Sequence, residues 1–423
     1  MKVSLFTLIL IFIAPCLFAQ DISGNWKGNM DVNGAQLPIV FHFTKDNAGN
    51  IQGKWGSPKQ HANGLPFSRI DVNGDSVHLD IKMIAGNYRG AFINNDSISG
   101  IWEQSTHEIP LNFSRSTEQE QSEEAVSAYP NEKEIVITSA AGSKLYGTLL
   151  SKNNEQKIAI IVAGSGPTDR NGNSTLAVAT NEYQMIAHSL DSQNIATFRY
   201  DKRAIAKSAI PNFKESDLVF GDYVKDAEKI FNYLHDTLGF KNIYFIGHSE
   251  GSLIAMLASE KKKVSGYISV AGAGRPIDVI LEEQMQKQPL PDSVKQQIPQ
   301  IFNQLKKGKE VNDIPESLAP LFRKSIQPYM ISWLKYTPQE EIKKLNCPVL
   351  IIQGACDIQV QIEDAKNLHE GNKKSTLEII PQMSHTLKNA GKDCVDENKT
   401  YTDSNMPVDP VLVNDIVKFI KKN

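Results

Sequence analysis

From residue 134 to the end of the chain at residue 423, short apolar runs alternate with segments of helical periodicity. Apolar strands that alternate with helices predict the α/β class, a mostly parallel sheet covered by helices on both faces. In such sheets ligands bind at the carboxyl ends of the strands, so functional residues are expected in the strand-to-helix turns. The predicted strands are residues 135–137 and 145–150 (antiparallel), then 158–162, 195–200, 243–246, 267–270, 349–352 and 377–380; the predicted helices lie near residues 176–192, 219–238, 250–260, 362–370 and 411–421.

One segment interrupts this alternation. Residues 275–345 are polar, follow a helical pattern and contain no run typical of a strand. Because the segment falls between two predicted sheet strands, we expect a helical cap over the carboxyl ends of the strands. Phe322, Tyr329 and Trp333 are its expected apolar lining, and ordinary packing within the cap is the alternative for each of them.

Residues 20–115 have a β-type pattern instead. Turn signals such as Asn33-Gly34 and Asn73-Gly74 separate about eight short alternating runs at intervals of roughly 10–12 residues. This rhythm predicts a small all-β meander or barrel domain, followed by an acidic linker at residues 116–133. Its tryptophans are interpreted as core residues, because aromatic side chains dominate small cores; lining of a ligand cavity is the alternative.

The start of the chain has the pattern of an export signal. Lys2 is followed by an apolar run at residues 3–13 and then by the small residue Ala19. The run is too short to span a membrane, so we predict a secretory signal peptide at residues 1–19 and an exported protein, periplasmic or secreted. Acylation of Cys16 in a lipoprotein is the alternative, which Pro15 directly before it disfavours.

Composition excludes some partners. The chain has 45 lysines and arginines against 48 aspartates and glutamates, without a basic stripe. Neither nucleic acid nor an anionic membrane surface is therefore expected as the main partner, and no later run predicts membrane insertion. No spacing of histidines and cysteines is typical of a zinc site, so no metal is expected.

The turn Gly247-His248-Ser249-Glu250-Gly251 joins a predicted buried strand to a predicted helix. A sharp reversal of this kind strains the backbone of its apex residue, and flanking glycines avoid clashes. The apex side chain then stands above the sheet at the N-terminus of the helix. We interpret Ser249 as a nucleophile, with a purely structural turn as the alternative. His248 is not expected to be its base, because adjacent residues of the turn point in different directions.

Loops after later strands supply a base and an acid that orients it. Asp357 follows the strand at residues 349–352, and His385 follows the strand at residues 377–380. The order Ser, Asp, His is that of α/β-hydrolases, so Ser249, Asp357 and His385 are the predicted catalytic triad.

An oxyanion hole needs two hydrogen-bond donors near the nucleophile. The predicted donors are the backbone N–H groups of Glu250, directly after Ser249, and of Ser165, in the loop after the strand at residues 158–162. Gly166 is the second choice for the latter. Asp364 is interpreted as a carboxylate that stabilises the start of a helix rather than as the catalytic acid.

Several motifs occur together in the order of one family. They are GSGPTDRNG at residues 164–172, RYDKR at 199–203, GHSEG at 247–251, and the segments 349–360 and 383–388. The region 134–423 thereby resembles the EstD-like bacterial carboxylesterases of the α/β-hydrolase superfamily. The resemblance implies an α/β-hydrolase fold and a serine carboxylesterase that acts on small acyl esters with the triad Ser249, Asp357 and His385. No cofactor is expected, and the expected partner is a small-molecule ester.

The chain departs from the family pattern at Ala204 and Ala206, where glycine is usual, so we expect a reshaped loop there. Four charged residues of the family motifs are interpreted as ion pairs that fix loops, in preference to substrate contacts, because buried charges need partners. These are Asp169, Arg170, Asp201 and Arg203.

Two other functions remain open from the sequence. An amide-cleaving peptidase of the same superfamily would use the same triad, and Glu250 could anchor the amine of its substrate. A ligand-binding protein with a relic hydrolase domain is the alternative from another class, which the complete predicted triad disfavours.

Three cysteines follow the predicted signal, so at most one disulfide forms. Cys356 directly precedes the predicted acid, and Cys394 follows the predicted base. A bridge between them would join the two loops if these converge; two free thiols are the alternative. Cys347 is expected to be an inert core thiol.

Overall fold

The chain divides into two compact units, Met1–Val126 and Ser127–Asn423. The predicted signal peptide and residues 117–128 of the predicted linker lie outside the described residues. The computed structural model describes residues 21–32, 35–46, 49–57, 62–81, 86–104, 107–116, 129–139, 141–152, 155–174 and 180–423.

The first unit is an antiparallel sheet of nine strands in the order β4-β3-β2-β1-β9-β8-β7-β6-β5. Among the described residues no ladder joins β4 to β5, so the predicted meander is confirmed but the sheet is a half-barrel and not a closed barrel. Both edge strands are only five residues long, and short edge strands offer little backbone for further pairing. The strands are β1 Gly24–Val32, β2 Ala35–Lys45, β3 Ile51–Ser57, β4 Ala62–Pro66, β5 Arg69–Asn73, β6 Ser76–Ile81, β7 Gly86–Asn94, β8 Ser97–Gln104 and β9 His107–Ser116.

Aromatic side chains form the core of this sheet. Phe41 stacks on Phe113 with ring centroids 4.0 Å apart, and Trp26 and Trp102 are fully buried in the same cluster. The Tyr88 hydroxyl donates to the carbonyl of Leu111 at 3.0 Å, which satisfies its buried polar end. The interpretation of these aromatics as core residues is confirmed.

The second unit contains a mixed sheet of eight strands in the order β10-β11-β13-β12-β14-β15-β16-β17. The first two strands are antiparallel, and β12 to β17 form the parallel part, as predicted. The strands are β10 Glu132–Thr138, β11 Lys144–Leu150, β12 Lys157–Val162, β13 Ala196–Tyr200, β14 Asn242–His248, β15 Gly266–Val270, β16 Val349–Gly354 and β17 Thr376–Ile380.

The predicted end of the linker at residue 133 is two residues too late, because β10 begins at Glu132. Glu132 pairs with Leu150 in the ladder, and its carboxylate accepts a hydrogen bond from Nη2 of Arg199 at 2.7 Å. A polar, acidic residue therefore belongs to the strand because a buried arginine compensates its charge.

Helices cover both faces of this sheet. Glu182–Asp191 and Pro410–Lys422 pack on one face, and Phe220–Asn232, Glu250–Lys261 and Ile362–Gly371 pack on the other. The last helix of the chain begins where the sequence favours a start, since the Asp409 side chain accepts from the N–H of Val411 and proline occupies the first turn. A π-helical turn, Tyr233–Thr237, extends the helix Phe220–Asn232.

Between β15 and β16 the chain forms helices and no strand, all within the described range 180–423. These cap helices are Ile277–Gln286, Asp292–Lys295, Ile298–Lys306, Ala319–Phe322, Gln327–Trp333 and Pro338–Glu341. Glu397–Thr400 is a further short helix, and 3₁₀ turns occur at Ala206–Ser208, Glu215–Asp217, Glu316–Leu318, Lys324–Ile326, Ile342–Lys344 and Lys392–Cys394.

None of the helices in the described part of the chain is both long and apolar enough to cross a bilayer.

Candidate active site

Ser249 lies at the apex of the turn between β14, which ends at His248, and the helix that begins at Glu250. Its backbone angles are φ 54° and ψ −120°, a strained combination for a residue other than glycine. The neighbouring strand β15 holds the turn in place, because the N–H of Ser249 donates to the carbonyl of Val270 at 3.0 Å. Strain that is maintained by surrounding contacts is typical of a functional position.

The two glycines of the turn are required by close backbone packing. A Cβ atom at Gly247 would lie 2.3 Å from the carbonyl oxygen of Gly251, and one at Gly251 would lie 2.2 Å from the carbonyl oxygen of Val162. Real Cβ atoms do not approach other atoms so closely. The small residues of this turn are therefore needed for the strand, the turn and the helix to pack together.

His385 and Asp357 are in direct contact. Nδ1 of His385 lies 2.8 Å from Oδ2 of Asp357, and both side chains are buried. The other carboxylate oxygen, Oδ1, accepts from the backbone N–H groups of Gln359 and Val360 at 2.8 and 2.9 Å. Nε2 of Gln353 also donates to Oδ2, at 3.0 Å.

These contacts keep Asp357 ionised. Burial by itself would raise the pKa of Asp357, but the proximity of His385 and the hydrogen bonds outweigh burial, so the pKa lies below its usual value. A charged Asp357 fixes the neutral His385 with its proton on Nδ1, which leaves Nε2 free to accept a proton.

His385 lies beside the turn that carries Ser249. The rings of His385 and His248 are 4.9 Å apart, and Nε2 of His248 donates to the carbonyl of His385 at 2.9 Å. Ser249 Oγ itself makes no hydrogen bond within the described residues. Catalytic hydrogen bonds are often long before a substrate binds.

A cavity with a free volume of about 60 Å³ adjoins Ser249. Ser165 and Glu250 line it together with Ser249, and residues of the cap, including Ile280 and Trp333, contribute to the lining as well. Of the expected apolar lining, only Trp333 faces the cavity. Phe322 packs on Phe302 with ring centroids 5.0 Å apart, and Tyr329 packs on Phe220 and Tyr223, so both belong to the core beneath the cap.

Among the described residues, two charged side chains line the cavity, Glu250 and Arg275, and both are paired. Nζ of Lys202 lies 3.1 Å from Oε1 of Glu250, with both side chains almost fully buried. Arg275 donates from its guanidinium to Asp364 and Glu283. Asp364 lies in the first turn of Ile362–Gly371, as predicted, and it also accepts from the backbone N–H groups at the start of the cap.

Comparison with known proteins identifies the family of the chain. The family model described as serine aminopeptidase, S33, matches residues 176–390, just over half of the chain. The chain belongs to this family. The match includes Ser249, Asp357 and His385, and it confirms the predicted α/β-hydrolase fold.

A curated relative of this S33-family chain is Esterase EstD of Thermotoga maritima, 25% identical over 271 residues. The aligned region spans 60% of this chain and 60% of the relative. The predicted resemblance to EstD-like esterases is thereby confirmed. Among solved structures, the Pyrococcus furiosus esterase Pf2001 has a TM-score of 0.47 and 16% identity, over 70% of this chain and 95% of that chain. Est1E of Butyrivibrio proteoclasticus, in a structure with bound ferulic acid, has a TM-score of 0.46 and 20% identity, over 68% and 99%.

The charged family motifs of this S33-family chain form the predicted loop contacts. Arg170 Nη2 donates to Asp201 at 2.6 Å, and Arg203 Nη2 donates to Asp226 at 2.6 Å. Oδ1 of Asp169 accepts from two backbone N–H groups of its own loop. The interpretation as ion pairs that fix loops is confirmed for Arg170, Asp201 and Arg203, whereas Asp169 fixes its loop through these backbone hydrogen bonds.

The loop around Ala204 and Ala206 keeps a conformation that favours glycine. Both alanines have positive φ, 64° and 45°. The departure from the family pattern therefore adds backbone strain of roughly 1–2 kcal/mol per residue.

Sequence reasoning missed three residues of this site. Gln353 holds the acid, Lys202 pairs with Glu250, and Tyr183 donates to Nδ1 of His248 at 2.7 Å. Lys202 had a signal in the sequence, since it stands within the family motif at residues 199–203. Gln353 is a polar residue next to the end of the buried strand β16, and a polar residue at such a position is also a signal. Tyr183 is one apolar residue of a helix pattern and carries no such signal.

Cys356 and Cys394 form a disulfide with their Cα atoms 5.4 Å apart. The bond joins the acid loop to the segment after the base. Cys347 is the free cysteine of the described residues, and burial raises its pKa to about 11, so it stays a thiol at neutral pH.

Proposed function

We propose that this protein is a serine carboxylesterase that hydrolyses esters with small acyl groups through an acyl-enzyme. The observation that carries the proposal is the hydrogen bond from His385 to the buried Asp357, beside a strained Ser249 that opens into a cavity. These are the three groups that acyl transfer requires, each held by backbone contacts.

In this mechanism Ser249 attacks the acyl carbonyl while Nε2 of His385 takes its proton. Asp357 holds the imidazole in the required tautomer and stabilises the imidazolium that forms. His385 then protonates the leaving alcohol. Water activated by His385 hydrolyses the acyl-enzyme and restores Ser249.

The oxyanion is proposed to bind the backbone N–H groups of Glu250 and Ser165. In the described part of the chain neither N–H group donates to another residue, and both residues line the cavity with Ser249. Glu250 also begins a helix, whose N-terminus favours negative charge. Each such donor stabilises the transition state by roughly 3–4 kcal/mol.

The charges of the cavity favour an ester over an aminoacyl amide. A protonated substrate amine needs a carboxylate partner, and among the described residues Glu250 is the one acidic residue that lines the cavity. Its carboxylate is already paired with Lys202. The small free volume, about 60 Å³, favours a short acyl chain.

A panel of p-nitrophenyl esters of increasing acyl length, run beside aminoacyl-p-nitroanilides, tests the reaction class. We expect the highest kcat/KM for short esters and no comparable cleavage of the anilides. Preferred cleavage of the anilides would favour the peptidase, and the absence of either activity would favour the ligand-binding alternative.

A fluorophosphonate probe tests the nucleophile, because labelling requires an activated serine. We expect labelling at Ser249 in the protein and none in the Ser249→Ala variant. Loss of kcat on the order of 10⁴–10⁶ is expected for Ser249→Ala and for His385→Ala, and about 10⁴ for Asp357→Asn. Turnover by either alanine variant close to that of the parent would contradict the triad.

We further propose that the protein is exported after cleavage behind Ala19. The Cys356–Cys394 bond supports this, since disulfides persist in oxidising compartments. N-terminal sequencing of the mature protein tests it; we expect Gln20 as the first residue, whereas an acylated Cys16 would indicate a lipoprotein.

A further inference from the structure

Gly164, Tyr183, His248 and His385 are joined by three consecutive hydrogen bonds. The N–H of Gly164 lies 3.0 Å from the Tyr183 hydroxyl, which lies 2.7 Å from Nδ1 of His248. Nε2 of His248 lies 2.9 Å from the carbonyl oxygen of His385. The chain of bonds thus runs from the loop after β12, through the turn of Ser249, to the loop that carries the base.

The two ends, together with a neutral His248, determine the direction of every bond. The Gly164 N–H can only donate, and the His385 carbonyl can only accept. His248 must therefore donate from Nε2. In its neutral form it then accepts at Nδ1 from the Tyr183 hydroxyl, which in turn accepts from the N–H of Gly164. One neutral tautomer of His248 satisfies all three bonds.

The surroundings of His248 keep it in this neutral form. Burial, followed by the proximity of His385, lowers its pKa to about 3. A second proton, on Nδ1, would also leave the proton of the Tyr183 hydroxyl without an acceptor among the described residues. His248 therefore acts as a neutral connector and not as a second base.

The loop at residues 163–167, here called the β12 loop, has little room to move against the turn. A Cβ atom at Gly164 would lie 3.3 Å from Cβ of Ser249 and 3.4 Å from Nδ1 of His248. The Gly164 peptide is held on its other side as well, since its carbonyl accepts from Nζ of Lys202. The next residue is Ser165, whose N–H is a proposed oxyanion donor.

We propose that Tyr183 and His248 are positioning residues, which hold the β12 loop and the base loop in place on either side of Ser249. The inference rests on the proposed esterase function, because the groups so placed are its oxyanion donor and its base. A displacement of such groups by about 1 Å lowers catalysis by roughly 100-fold.

The three hydrogen bonds from Gly164 through Tyr183 and His248 to His385 are here called the bridge. Tyr183→Phe tests the bridge by the removal of one oxygen. We expect kcat for p-nitrophenyl acetate, per active site titrated with the fluorophosphonate, to fall on the order of 10- to 100-fold, with KM changed by less than about threefold. Affinity for a trifluoromethyl ketone that forms a tetrahedral adduct should weaken by a similar factor. A purely structural role would lower the fraction of active sites and leave kcat per site unchanged.

Tyr244→Phe is the matched control. Tyr244 is a buried tyrosine of β14, the strand that ends at His248, and lies four residues before it. Its hydroxyl donates to the carbonyl of Ile420 at 3.3 Å. The variant loses a buried hydroxyl bond away from Ser249, so its kcat per site should stay within about twofold of the parent.

NMR of ¹⁵N-histidine-labelled protein tests the bridge without an activity measurement. The resonances that disappear in His248→Gln should show the Nε2–H tautomer and no titration between about pH 5 and pH 9. A proton on Nδ1, or titration near the ordinary value of 6.5, overturns the proposal.

The outcomes separate the bridge from the proposed function. An active protein with the neutral Nε2–H tautomer and a slow Tyr183→Phe variant supports the bridge. If the parent is active and labelled but Tyr183→Phe matches Tyr244→Phe in kcat per site, the bridge alone is overturned. If the parent neither hydrolyses esters nor is labelled, the proposed function and the positioning role both fail, whatever the tautomer.

Discussion

Lys202 forms a buried ion pair with Glu250, the residue after the candidate nucleophile, with Nζ 3.1 Å from Oε1 and both side chains almost fully buried. The same ammonium group donates to the carbonyl of Gly164 and lies 4.9 Å from the ring centroid of Tyr223. One cation thereby connects the residue after Ser249 to the β12 loop. The pair also explains why Glu250 does not offer a free carboxylate to the cavity.

Lys202→Met should destabilise the protein by about 3–5 kcal/mol, because it leaves Glu250 buried without a partner. The double variant Lys202→Met/Glu250→Leu should recover most of this loss, since an apolar pair of similar volume often replaces a buried ion pair without penalty. Urea denaturation of the parent and both variants measures this. Equal stability of the single variant and the parent would contradict the importance of the pair.

Stability should depend on pH through His248. Its pKa, lowered to about 3 by burial and by neighbouring His385, lies below the ordinary value of 6.5. The unfolded chain therefore binds more protons between these values, so the contribution is complete above pH 6.5 and is lost as the pH falls toward 3.

The free energy of unfolding should fall by about 3 kcal/mol more in the parent than in His248→Gln between pH 6.5 and about pH 4. Denaturation curves of both proteins at each pH give this difference. The contributions of the other titrating groups are common to both proteins and cancel in it. Parallel pH profiles would show that His248 is not held neutral by the fold.

Gly251→Ala should prevent folding or lower stability by several kcal/mol, because its Cβ would lie 2.2 Å from the carbonyl oxygen of Val162. Gly221→Ala is the matched control within the helix Phe220–Asn232, where a Cβ meets no atom within 4 Å. That change should be neutral or stabilising by about 0.5–1 kcal/mol. Thermal unfolding of the two variants compares them directly, and similar melting temperatures would contradict the packing argument.

The Cys356–Cys394 disulfide closes a segment of 38 residues and should stabilise the fold by about 4 kcal/mol. The double variant Cys356→Ser/Cys394→Ser should lose that stability and also kcat, because Cys356 precedes the candidate acid. Peptide mapping of unreduced, alkylated protein should find the two cysteines in one cross-linked peptide and Cys347 alkylated. Alkylation of all three would exclude the bond.

Trp333→Ala should widen the acyl selectivity, since Trp333 lines the same cavity as Ser249. The ratio of kcat/KM for p-nitrophenyl octanoate to that for the acetate should rise by at least about tenfold. Phe322→Ala is the control, because Phe322 packs on Phe302 beneath the cap and should affect stability without changing the ratio. An unchanged ratio in Trp333→Ala would show that the cap does not select the acyl chain.

The strands, the turn of Ser249 and the loop positions of Asp357 and His385 were predictable, because each has a local cause. Apolar runs such as residues 243–246 identify buried strands by themselves, and the glycines around Ser249 indicate a strained turn. Chain order then places Asp357 and His385 at the same edge of the sheet.

Contacts between distant residues were not predictable in this way. Tyr183 and His248 are 65 positions apart, and Lys202 and Glu250 are 48 apart, so no periodicity relates either pair. The β-half-barrel likewise was predicted only as a meander or barrel, because closure depends on whether the two edge strands meet. Within the cap, Trp333 and Phe322 look alike in the sequence and differ only in which surface they contact.

Local sequence patterns are sufficient to predict the class of the fold and the candidate chemistry, because strand periodicity and turn strain arise from neighbouring residues. The folded structure is needed to show which charges are neutralised and which hydrogen bonds hold the loops around Ser249. Those features depend on burial and on distances of a few ångströms between segments far apart in the chain, and packing alone sets them.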